Sequence, residues 1–177
     1  MGKVILITGP ARSGKSEWAE KLASNSNNVV YIATANRDTN DVEWLSRIQR
    51  HIIRRPQNWS TLEVPILLSQ ALANVKPQTC ILVDSLGTWV ANLLEQEELE
   101  WNNTVQDFLN TLELVASDII FVAEETGWGV VPAYPIGRTF RDRLGSLVRR
   151  LSKISDTVYL VTGGYALNLT TLGTPIE

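Results

Sequence analysis

Gly9-Pro10-Ala11-Arg12-Ser13-Gly14-Lys15-Ser16 places a glycine at each end of a short loop, then a lysine and a hydroxyl, matching G-x-x-x-x-G-K-[ST] in full. Each type has a task in triphosphate binding. Glycines let backbone N–H groups turn inward around phosphate oxygens. A helix opening where the loop ends adds its partial positive charge. Lys15 is placed to reach the β- and γ-phosphates. The Ser16 hydroxyl is placed to ligate Mg²⁺, with the Asp84 carboxylate, at the end of an apolar run, holding the ion or its water shell. The pattern points to ATP or GTP and is silent on the reaction.

His51 is the single histidine, so any imidazole chemistry within one chain must use it. The spacing of Val42, Leu45, Ile48 and Ile52 predicts a helix opened by Asp41. On it Arg47, His51, Arg54 and Arg55 fall within about a 100° arc, apart from the apolar stripe. A nucleophilic imidazole among guanidiniums suits attack on a nucleotide phosphorus. The arginines would neutralise phosphate charge and keep the ring neutral by like-charge repulsion. From spacing alone, a solvated basic face with one incidental histidine is the simpler reading.

The elements that must position these groups alternate. Short β-rich runs at 3–8, 29–33, 61–64, 79–83, 118–123 and 157–161 read as strands. Helical spacing covers 16–23, 66–75, 86–97, 103–116 and 136–154, the last with Ile136, Phe140, Leu144, Leu147, Leu151 and Ile154 on one face. Gly163-Gly164 turns the chain towards an edge strand at 166–169. Such alternation predicts an α/β fold, a doubly wound and mostly parallel sheet with helices on both faces. Right-handed crossovers then bring the loops starting at Gly9, Thr34, Asp84 and Glu124 to one carboxyl edge.

The 177 residues fit one nucleotide-binding catalytic domain, 1–177. A net charge of −3 gives no basic field for nucleic acid or an anionic membrane. The single cysteine, Cys80, lies in an apolar run and suits a small buried role. With no signal-like start and no apolar run of spanning length, the expected compartment is the cytoplasm.

Beyond the phosphate loop, the segments YIAT (31–34), RIQRH (47–51), RRPQNW (54–59), TLEVP (61–65), ILVDSLGTWVANLL (81–94), ETGWGVVP (125–132), RTFRDRLG (138–145) and DTVYLVTGG (156–164) run in order along nearly the whole chain. On these the sequence resembles the adenosylcobinamide kinase/adenosylcobinamide-phosphate guanylyltransferase family of cobalamin biosynthesis. The resemblance implies a P-loop fold assembling into a homotrimer. It implies phosphorylation of the aminopropanol hydroxyl of adenosylcobinamide by ATP or GTP. GMP transfer from GTP onto that phosphate would follow, giving adenosylcobinamide-GDP and pyrophosphate. It also makes His51 the carrier of a covalent GMP, and places Glu63, Asp84 and the segment Ala33-Thr34-Ala35 in the guanine-nucleotide site. Three departures stand out. Ser85 follows the strand-end aspartate where relatives often have cysteine. Glu124 takes the place of an asparagine common in relatives. The 145–149 segment lacks the usual Asn-Gln pair. Two other classes fit the phosphate loop alone: a kinase of another small metabolite, and a non-catalytic nucleotide-dependent switch. The first gives His51 and the 127–132 loop no task; the second predicts tight GTP binding without turnover.

Overall fold

The computed structural model describes residues 2–36 and 55–176. The predicted helix over 41–53, with Arg47, His51 and Arg54, lies outside the described residues. Seven strands form one sheet in the order β3-β2-β4-β5-β1-β6-β7. These are β1 (Val4–Gly9), β2 (Val29–Ala33), β3 (Ser60–Glu63), β4 (Cys80–Asp84), β5 (Ile119–Glu124), β6 (Thr157–Thr162) and β7 (Tyr165–Asn168). All neighbours pair in parallel except β7, which returns antiparallel to β6 after the Gly163-Gly164 turn.

Period-two alternation divides the buried residues of the central strands between two faces. Leu6, Ile32, Ile81, Val83 and Phe121 face one core; Ile7, Tyr31, Leu82, Ile120 and Val122 face the other. The first core is covered by α2 (Leu68–Ala73), α3 (Leu86–Asn92), α4 (Glu98–Leu114) and α5 (Pro135–Ile154). Trp89, Trp101, Phe108 and Phe121 form a chain of tilted and edge-on ring contacts through it, with centroids 5.2–6.1 Å apart. The second core is covered by α1 (Lys15–Ala23), whose Ala19 and Ala23 are fully buried while Trp18 meets Tyr159 edge-on. Cys80 is buried there as expected, and burial pushes its thiol up from its ordinary value.

Four elements differ from the sequence reading, the first being α3, which ends at Asn92 and does not run on to 97. The acidic stretch read as a break before a helix at 103–116 is already helical from Glu98, because Trp101 drops into the core beside Trp89. On α5 the expected stripe holds at Leu144, Leu147 and Leu151, but Ile136 in the first turn is exposed. A short α6 (Leu169–Leu172), unmarked in the sequence, follows β7, its first turn capped by the Asn168 side chain.

At the other end of β1, Asp118 and Asp156 accept the N–H groups of Lys3 and Val4 at 2.8 and 2.7 Å. Both flanking strands are thereby tied to the start of the strand that feeds the phosphate loop.

Candidate active site

The four expected loops do meet. Gly9 pairs with Glu124, and Ala33 with both Asp84 and Glu63, so four parallel strands and the edge strand β3 end on one side. Strand β5 stands between the phosphate-loop strand and the Asp84 strand, an order that alternation alone does not reveal.

The phosphate loop leaves β1 at Gly9 and enters α1 through Gly14, which caps the helix at φ 93°, a left-handed conformation glycine adopts without strain. Ser13 N donates to Pro10 O at 3.3 Å, closing the turn. Lys15 is buried, and its ammonium donates to Pro10 O at 3.3 Å across the loop. Ser13 Oγ is buried without a hydrogen-bond partner. A buried orphan hydroxyl within the phosphate loop leaves a donor that suits a phosphate oxygen. Ser16 opens α1 directly after Lys15, while Ala11 and Arg12 form the exposed rim, Arg12 at φ 59°.

Asp84 ends β4, and its Oδ2 accepts the Tyr31 hydroxyl at 2.9 Å. Burial, then the neighbouring Asp84 carboxylate, pushes the Tyr31 phenol well above its ordinary value, so it stays protonated as the donor. The Arg55 guanidinium lies 3.4 Å from the Tyr31 ring centroid and donates to Thr61 at 3.3 Å. Its Nε is buried and unpartnered.

Thr34 is fully buried. Its hydroxyl donates to Ser85 O at 2.7 Å and accepts Ser85 N at 3.0 Å, and its carbonyl accepts Asn92 Nδ2 at 2.8 Å. The segment Ala33-Thr34-Ala35 thus locks the β2 loop to α3. Glu63 is exposed at the end of β3, on the same sheet edge.

Sequence reasoning passed over two groups. Tyr31 entered only as part of the strand run 29–33 and the YIAT segment, and its hold on Asp84 spans two strands. Glu124 was marked as a departure with no task. In the fold its carboxylate stands against Gly87, so close that any Cβ there would overlap it. Its Oε2 is buried without a partner. Burial raises its pKa above the ordinary carboxylate value, while the Ser85 hydroxyl and the Lys15 ammonium pull it back. Asn36, Gly87, Thr88, Ala91, Asn92, Glu124 and Phe140 line a cavity of about 340 Å³.

Among the described residues no three His, Cys, Asp or Glu side chains group as a metal cage. A serine hydroxyl and a carboxylate are instead the hard-oxygen pair that suits Mg²⁺ carried in with phosphates. Among the same residues no helix is long and apolar enough to cross a membrane.

A Pyrococcus horikoshii OT3 protein of known structure superposes with a TM-score of 0.56 at 10% identity, covering 95% of this chain and 86% of that one, a likeness of fold alone. The bifunctional adenosylcobalamin biosynthesis protein CobP of Pseudomonas aeruginosa is 38% identical, over 93% of this chain and 95% of its own. The bifunctional adenosylcobalamin biosynthesis protein CobU of Escherichia coli (strain K12) is 32% identical, over 94% of this chain and 99% of its own. A sequence model of the cobinamide kinase / cobinamide phosphate guanyltransferase family matches residues 5–169, and with relatives of this identity along nearly their whole length the chain belongs to that family.

Proposed function

We propose that the protein is a bifunctional transferase of cobalamin biosynthesis. It phosphorylates adenosylcobinamide with ATP or GTP, then moves GMP from GTP through His51 onto that phosphate, releasing pyrophosphate. The observation that carries this reading is the family match across residues 5–169, coinciding with a phosphate loop whose buried Ser13 hydroxyl lacks a partner.

In the kinase half the backbone of Gly9–Ser16 cradles the triphosphate, and Lys15 swings from the Pro10 carbonyl to the β- and γ-oxygens. Ser16 and Asp84 would hold Mg²⁺, which supplies charge neutralisation on the transferring group when bound. Tyr31 keeps the Asp84 carboxylate oriented. In the guanylyl half the His51 nitrogen bonds to the α-phosphorus of GTP as the bond to the pyrophosphate oxygen breaks. The corrinoid phosphate then displaces His51. Arg54 and Arg55 balance phosphate charge, and Glu63 with the Ala33–Ala35 segment frames the guanine side. Assembly as a homotrimer and a cytoplasmic location belong to the same reading. The exposed Trp128, Val130 and Tyr134 of the loop after β5 supply apolar surface for such contacts.

Labelled GTP tests the scheme. The wild type should retain label from α-labelled GTP and none from γ-labelled GTP, in an acid-labile, alkali-stable bond. His51→Asn should abolish labelling and spare much of the kinase activity. Lys15→Ala should lose nucleotide binding and both activities. An acid-resistant adduct that persists in His51→Asn would refute the histidine as carrier.

A further inference from the structure

Arg55 enters the scheme above as a counter-charge for phosphate, yet its contacts in the fold run to protein. Its guanidinium carbon lies 3.4 Å from the centroid of the Tyr31 ring, within stacking distance. Its Nη1 donates to the Thr61 hydroxyl on β3 at 3.3 Å, while Nε is buried and makes no hydrogen bond. The chain holds it there. Trp59 N donates to Pro56 O at 3.1 Å, closing a turn directly after Arg55, and Trp59 packs against the same core as Tyr31. Tyr31 is buried in that core, and its hydroxyl donates to Asp84 Oδ2 at 2.9 Å. A line of contacts thus crosses three neighbouring strands, from Thr61 on β3 through Arg55 to Tyr31 on β2 and Asp84 on β4. An arginine kept for phosphate alone would gain nothing from resting on a buried phenol.

We propose that Arg55 is a positioning residue for Asp84 that acts through Tyr31, its charge on the ring face strengthening the phenol as a donor to the carboxylate. The inference rests on the kinase reading above, in which Asp84 must be correctly turned for phosphoryl transfer. A cation over an aromatic face draws on the electrons of the ring. In a phenol this takes charge from the oxygen and makes its hydrogen the better donor. The bond to a carboxylate then tightens and resists turning. No proton or group passes along this line; it acts on the orientation of Asp84 alone. Arg55→Gln keeps a planar head and removes the charge. Arg55→Lys keeps a cation for the ring.

A double-mutant cycle with Tyr31→Phe isolates the coupling, because that change keeps the ring and removes only the hydroxyl. With Tyr31 in place, Arg55→Gln should lower kcat for adenosylcobinamide phosphorylation roughly threefold to tenfold, and Arg55→Lys should recover part of the loss. Added to Tyr31→Phe, Arg55→Gln should cost less than about a further twofold. Any share of Arg55 in balancing phosphate charge falls alike on both backgrounds, so it drops out of the cycle. Carbon NMR of nucleotide-free protein labelled at the aspartate carboxyl carbons reads the same coupling without turnover and reports the fold of each variant. The Asp84 signal, assigned by its loss in Asp84→Asn, should move in Arg55→Gln and move far less when that change is added to Tyr31→Phe. Equal losses of kcat in the two backgrounds, or an Asp84 signal indifferent to Arg55→Gln, would overturn the proposal. A wild type that phosphorylates no corrinoid alcohol would bring down the kinase reading, and this assignment with it.

Discussion

Tyr31 and Asp84 lie 53 residues apart, and one hydrogen bond joins them in front of the phosphate loop. A hydrogen bond to a charged acceptor contributes about 1.5–3 kcal/mol, and here it also fixes which way the carboxylate turns. Tyr31→Phe keeps the ring under Arg55 and removes only the hydroxyl. It should lower kinase kcat about tenfold and the urea midpoint by on the order of 1 M, as steady-state rates and denaturation curves on one preparation would check. Wild-type kcat in that variant would show that Asp84 needs no orienting partner. The phosphate loop could be read residue by residue because its groups are contiguous and its chemistry is mostly backbone. Tyr31 could not, because nothing in spacing connects the interior of one strand to the end of another. Thr34 was legible as part of the right segment, but its hydroxyl and carbonyl are consumed by Ser85 and Asn92.

Between elements, Arg143 does the joining. From the middle of α5 its guanidinium donates to Leu93 O at 3.1 Å and to Gln96 O at 2.7 Å, and it lies 5.1 Å from the Trp101 ring centroid. It stands 3.8 Å from Glu98, although that carboxylate is exposed and adds little. The carbonyls between α3 and α4 thus find a donor on a third helix, which adds to the Gln96 N–H bond that Leu93 O already accepts. Arg143→Met keeps the stem and removes the guanidinium bonds, leaving Gln96 O without this donor. It should cost about 2–4 kcal/mol in urea denaturation at unchanged m-value. Arg143→Lys should rescue little, since one ammonium cannot span the fork. The stripe of α5 was readable from its period, but the use of its buried arginine was not. The same gap misplaced the start of α4: an acidic run looked like a break until Trp101 anchored it.

For the molecule as a whole, alternation of strand and helix was enough to foretell a parallel sheet and a shared carboxyl edge. Strand order was not, because sequence position does not say that β5 inserts between β1 and β4. That order has a consequence for how the protein breathes. Strands β4, β5 and β1 lie side by side with neighbours on both flanks, while β3 and β7 are the exposed margins. Local opening begins where few contacts must be surrendered. In deuterated buffer, mass spectrometry should find the amide hydrogens of β3 and β7 replaced first and those of β1, β4 and β5 last. Mild denaturant should then strip the margins while the loop after Gly9 still retains nucleotide. Early exchange across β1 would contradict this ordering. The phosphate loop and Asp84 are bolted to the last part of the sheet to come apart, while Glu63 sits on the margin β3, so a partly frayed population should still hold the triphosphate.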